Sequence, residues 1–186
     1  EIFASVGNYD GWILETTETS SEGGMIHPDL ALVAGDDILN RQYRAFMYFA
    51  TSSLPDNAVI VGATLKIRQI GQVGSPFVTH GNLIADIRKG FFGSSAALEA
   101  GDFQFFAPVG QKNNIGMFTA IGSGWYQLDL LNASNFQYVN LIGATQFRIR
   151  FTVEDNNNNR YDYARFYPGE ADAAVRPELI INYYVP

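Results

Sequence analysis

Two short runs do most to limit what this chain can fold into. In ATLKIRQI (63–70), Ala63, Leu65 and Ile67 alternate with Thr64, Lys66 and Arg68. In QFRIRFTV (146–153), Phe147, Ile149, Phe151 and Val153 alternate with Gln146, Arg148, Arg150 and Thr152. Successive side chains of an extended strand leave opposite faces, so each run predicts a strand with one face on a core and one in water. GNLIADIRKG, GWYQLDLL and PELIINYYV repeat the pattern less cleanly. RQYRAFMYFA is apolar on both faces from Ala45 to Phe49, which predicts a central strand covered on both sides.

Between these runs stand SSLPDNA, GQVGSPF, IGSG, DNNNN and YPGEADAAVRP, all rich in residues that turn a chain. About ten antiparallel strands at such spacing predict a β-sandwich or barrel. Helical signals are weak. SSAALEAGDF (94–103) reads as one short helix with a serine cap, and LNASNFQYVN as a further turn or two. No heptads, 20–50-residue repeat or linker interrupts residues 1–186, which read as one all-β domain.

The charge balance narrows the partners. Twelve Lys and Arg against nineteen Asp and Glu give a net charge of −7, with no basic block, so nucleic acid and anionic membranes are poor partners. No apolar stretch approaches the roughly 18 residues needed to insert across a bilayer. With no cysteine, neither disulfides nor thiolate metal sites exist, and stability rests on packing. The chain opens at Glu1 and reads as a mature or excised segment, which leaves secretion open.

Nothing points to catalysis. The two histidines, His27 and His80, belong to no HExxH motif, and neither GxSxG nor a Walker A loop is present. A non-enzymatic role needing no cofactor is the expectation.

YDGWILE (9–15), RQYRAFMYFATSSLPDNAVIVGATLKI (41–67) and RFYPGEADAAVRPELIINYY (165–184), in that order, resemble the DNRLRE-type domains of large secreted or surface-attached bacterial proteins. The shared pattern is an aspartate-glycine-aromatic strand, an R-x-x-x-x-F strand, a leucine-proline turn, an A-x-L-x-I strand and a closing R-P-x-L-x-I-x-Y strand. Trp125 stands where that family tends to carry a tryptophan. The resemblance implies a jelly-roll-like antiparallel β-sandwich. It also implies an extracellular or cell-surface location and a non-catalytic role, which for some relatives is carbohydrate binding.

Three groups of residues are candidates for function. In DNNNN, Asp155, Asn157 and Asn159 have the spacing that opens a calcium loop. The glycine and glutamate of an EF-hand are replaced by Arg160 and Phe166, so a structural calcium would draw instead on Asp155, Asn157 and Asp162. The competing reading is a hairpin tip, since asparagine accepts left-handed turns cheaply. Tyr161 and Tyr163, with Asn157 and Asp162 beside them, offer the aromatic and amide groups that bind sugars. Trp12 is expected in the core. Lys66, Arg68, Arg148 and Arg150 project from the expected solvent faces of two strands and would form a cationic stripe for an anionic polysaccharide if those strands were neighbours.

Two functional classes follow, with a polysaccharide-active enzyme ranked third, since any two of the nineteen acidic side chains could meet as a glycoside-cleaving pair. One is a module that attaches a protein or cell to polysaccharide. The other is a subunit that joins copies of itself into an extracellular filament. There, residues 1–8, an extension outside the family-like region, would donate Ile2, Phe3 and Val6 to a neighbour's open sheet.

Overall fold

The computed structural model describes residues 1–28, 31–104 and 109–186. Its strands are β1 (Ile2–Ala4), β2 (Gly11–Glu15), β3 (Gly23–Pro28), β4 (Leu32–Asp36), β5 (Gln42–Ala50), β6 (Val59–Val73), β7 (Leu83–Lys89), β8 (Gln111–Met117), β9 (Thr119–Gly122), β10 (Trp125–Asp129), β11 (Ala144–Phe151), β12 (Asp162–Phe166) and β13 (Glu178–Tyr184). Among the described residues, helix is confined to a single turn, α1 (Pro76–Thr79), and to 3-10 turns at Gly7–Tyr9, Ala100–Phe103 and Ala133–Tyr138. The fold is all-β, as the alternation predicts, with thirteen strands among the described residues where about ten were expected. Every strand pairing is antiparallel.

One layer runs β1-β13-β6-β10-β9 and the other β3-β2-β5-β11-β7-β8. Strand β6 serves both. Residues 59–68 pair with β13 and β10, whereas residues 69–73 pair with β12, which leads through β4 to β5. The changeover falls at Gln69, where β12 carries a register shift and Tyr167 N donates to Arg68 O at 2.9 Å. A bulge of this kind bends a strand enough to pass it from one layer to the next.

The core between the layers confirms the inward half of both opening patterns. Ala63, Leu65 and Ile67 of β6 meet Phe147, Ile149 and Phe151 of β11, joined by Ala45, Met47 and Phe49 of β5. Val153 lies past the end of β11 and is exposed.

The outward half of the second pattern needs correcting. Gln146, Arg148 and Arg150 were expected in water, yet Arg148 is 0 % exposed and Arg150 8 %. A strap of irregular chain, residues 91–104, lies over that face. Phe103, with Phe92 and Leu98 packed at its flank, joins Ile13 and Phe46 in a second small core. Irregular backbone brought out of water needs hydrogen-bond partners, and here the sheet's polar side chains supply them. Gln146 accepts from Phe92 N at 2.9 Å and donates to Ala96 O at 3.3 Å. Arg148 donates to the carbonyls of Asp102 (2.8 Å), Phe103 and Gln104, and Arg44 to that of Phe103. Within the strap, only Ala100–Phe103 is helical. The longer helix expected over 94–103 is absent because the chain is held flat against the sheet.

Candidate functional site

The cationic stripe does not form. Lys66 and Arg68 lie on β6 in one layer, whereas Arg148 and Arg150 lie on β11 in the other. Arg148 and Arg150 converge on the buried Asp86 of β7 at 2.8 and 3.2 Å. Burial alone would raise the Asp86 carboxyl, but the two guanidinium charges and their hydrogen bonds outweigh it and hold the group below its ordinary value. Burial, and then the neighbouring Arg148 charge, pull Arg44 down to about 9. This layer holds the strap in place. Lys66 and Arg68 stay on the outer face of β6, with Gln127 and Trp125 of β10 opposite them in register on one side and Glu178 of β13 opposite Lys66 on the other. The Arg68 guanidinium lies 6.0 Å from the Trp125 ring.

The asparagine run is a loop stitched to its surroundings. Asn157 and Asn159 take left-handed backbone angles, φ 54° and 55°. Asn156 N donates to Asp36 at 3.3 Å and Asn159 N to Asn40 at 2.9 Å. Asp162 is the hub. Its carboxylate accepts from Ser75 N (2.5 Å), Asn156 Nδ2 (3.0 Å) and Asn158 Nδ2 (3.4 Å). Burial opposes ionisation of Asp162, but these donors and the nearby His80 outweigh it and keep the group below its usual value. Three N–H groups aimed at this carboxylate offset part of its negative charge. Oδ1 of Asp155 is buried without a hydrogen-bond partner. Among the described residues, no three His, Cys, Asp or Glu side chains gather as a metal site.

Below this loop, the buried His80 places Nε2 3.4 Å from Oδ1 of the equally buried Asp36. No motif announces the couple, because α1 and β4 are distant in sequence and only the fold joins them.

The aromatic candidates fare differently. Pairing sets Gly35 opposite both Tyr43 and Tyr163, and Val33 opposite Arg165, so these residues leave a common face of β4, β5 and β12. Gly35 has φ 129°, and a Cβ there would collide with the Asp162 carbonyl and the Tyr163 Cα, so glycine is what lets β12 approach so closely. On the far side of β5, β2 brings Trp12 up to Tyr43, with ring centres 5.0 Å apart and nearly perpendicular. Tyr43 and Tyr163 are 5.7 Å apart, and Tyr163 and Tyr161 6.0 Å, both edge-to-face. His27 of β3 stacks on Trp12 at 4.3 Å.

The result is a groove of about 270 Å³ lined by Trp12, Ala31, Val33, Tyr43, Tyr163 and Arg165. Trp12 is therefore only half-buried and lines the groove, rather than lying in the core as expected. Arg165 stands exposed at the rim, and Tyr161 continues the aromatic run outside it. Burial first, then the charges of Asp37 and the nearby tyrosines, push the Tyr43 hydroxyl up to about 12, so at neutral pH it remains an O–H donor. Rings with an apolar face, hydroxyl donors and one exposed guanidinium suit a ligand carrying both C–H faces and oxygen acceptors. A larger cleft, about 490 Å³, lies beside the β9–β10 hairpin. Its lining includes Met117, Ile121, Leu131, Gln127 and Asp129, and it has no aromatic ring.

Of the residues lining this groove, Tyr163 was a candidate from sequence. Trp12, Tyr43 and Arg165 were not, because only strand order puts them beside it. The three assembly candidates lie within the chain's own fold. Ile2 and Phe3 pair with Ile180 and Leu179 of β13, and Val6 N donates to Tyr48 O at 2.8 Å. No protein-family model matches this chain, and a search of curated proteins finds no relative.

Proposed function

We propose that this domain is a non-catalytic polysaccharide-binding module of an extracellular or cell-surface protein, with the Trp12–Tyr43–Tyr163 groove as its ligand site. The observation that carries the reading is the continuous run of rings from β2, β5 and β12, bordered by Arg165. An aromatic ring offers its face to the C–H side of a pyranose, while hydroxyl and guanidinium donors take the sugar's oxygens. The residues that carry the family resemblance support the extracellular setting. Lys66 and Arg68 stand in the other layer and have no part in this groove.

Affinity electrophoresis in gels containing neutral or acidic polysaccharides tests the proposal. At least one polymer is expected to retard the protein, and Tyr163→Ala is expected to weaken that retardation at least about tenfold, the loss of one stacking contact and its hydroxyl. The circular dichroism spectrum should not change. Mobility unaffected by every polymer, or full retardation of Tyr163→Ala, would sink the reading.

A further inference from the structure

Among the described residues, strand β1 is the edge of its layer and pairs with β13 alone. Its contacts are of two kinds. The main chain is tied along β13: Glu1 and Ile181 exchange both backbone bonds at 2.8 Å, and Ser5 N donates to Pro177 O at 3.2 Å. One side chain, Phe3, enters the main core among Leu179, Ile181 and their neighbours, while Ile2 is 63 % exposed on the outer face. Removing residues 1–6 would leave an open β13 edge and a hole of phenylalanine size. An exposed edge beside an unfilled core position is a template for another strand.

The connection to the rest of the domain is the 3-10 turn Gly7–Tyr9. It is closed by two backbone bonds, Tyr9 N to Val6 O at 2.9 Å and Asp10 N to Gly7 O at 2.8 Å. Just beyond it, buried Asp10 accepts from Ser5 Oγ (2.6 Å), Tyr48 N (3.0 Å) and Gly169 N (2.8 Å). If the turn opens, residues 1–6 can be delivered to another domain. Every bond they make here, including Ser5 to Asp10, is then available there in identical form. The loss is limited to the turn's own two bonds and the entropy of association.

We infer that residues 1–6 are an exchangeable strand that docks on β13 of a second copy of this chain, with Phe3 as the anchor. Reciprocal exchange closes a dimer. Head-to-tail exchange leaves one strand and one acceptor free at the ends and builds an open chain.

The absence of cysteine makes a direct test possible. Because Glu1 and Ile181 form a hydrogen-bonded pair, Ile2 and Ile180 are the following non-hydrogen-bonded pair. There Cα atoms lie about 4.5 Å apart, within disulfide reach. Full-length Ile2→Cys and Ile180→Cys are prepared singly, mixed at high concentration, co-refolded from urea and oxidised. Peptide masses then identify which positions are joined. A disulfide between positions 2 and 180 that forms in the mixture well in excess of the 2–2 and 180–180 links that collision would give places β1 of one copy on β13 of another, and is the expected result. The double variant, with both cysteines in one chain, is the control for register. If it closes within the chain while the mixture yields no such link, the inference is overturned. If neither forms the link, β1 does not occupy β13 in cis or in trans, and it falls as well.

Discussion

Arg148 holds Asp86 at 2.8 Å, and neither side chain has any exposure to solvent. Arg150 reaches the same carboxylate from two residues further along β11, so one anion faces two cations beneath the strap. The folded state keeps Asp86 below its ordinary pKa. Its contribution to stability is therefore complete above the unfolded value, about 3.9, and is lost as pH falls through the lower folded value. Asp86→Ala is expected to cost about 3–5 kcal/mol at neutral pH, because it leaves buried arginine charge uncompensated. Urea melts from pH 7 to pH 2 should show a flatter acid limb for the variant. A variant as stable as the wild type would refute the role given to Asp86.

Asp10 has the opposite sign. Burial is the largest influence on it, and despite three hydrogen bonds its pKa is raised from 3.8 to about 6, with Glu170 adding to the rise. Between those values the folded state holds a proton that the unfolded chain lacks, so this group makes the domain more stable as pH falls from about 6 towards 4. A two-unit shift corresponds to at most about 3 kcal/mol. Asp102 is also raised to about 6 by burial and adds a parallel gain. Asp10→Asn should remove only the first share. The expected measurement is a smaller stability gain between pH 7.5 and pH 5 in the variant than in the wild type. Equal gains would show that Asp10 is solvated in the folded protein.

The asparagine loop makes a prediction about backbone. At Asn157 and Asn159 the left-handed angles favour glycine and disfavour a branched side chain. Asn157→Gly is expected to change stability by no more than a few tenths of a kcal/mol, and Asn157→Val to cost about 1–2 kcal/mol. Because N–H donors already face Asp162, a chelator should leave the thermal midpoint unchanged. A midpoint that drops in chelator and recovers with calcium would assign the loop a bound ion after all.

How much of this was legible depends on what each residue faces. Leu65, Ile67, Phe147 and Ile149 could be assigned to a core because alternation alone reports an apolar face. Alternation is silent about what covers the opposite face. Arginine beside solvent gives the same pattern as Arg148 beside the carbonyls of Asp102 and Phe103, or Arg150 beside the buried Asp86, and so both were misplaced. The groove was half-visible for a related reason. Tyr161 and Tyr163 are two residues apart in the chain, at and just before the start of β12, but Trp12 and Tyr43 reach them only through the order β2-β5-β4-β12, and no local spacing encodes strand order. Short β3, β4 and β9 carry too few residues for a period to register.

The pairing of β1 with β13 also fixes how the domain meets mechanical load. Because Glu1 lies opposite Ile181 while Ala4 lies opposite Glu178, the outer ends of the two strands point the same way. Tension applied through residues 1 and 186 would therefore peel β1 away one rung at a time instead of shearing all its rungs together. The first thing to yield under a pull would be this strand, with the sandwich behind it still closed except where Phe3 had been.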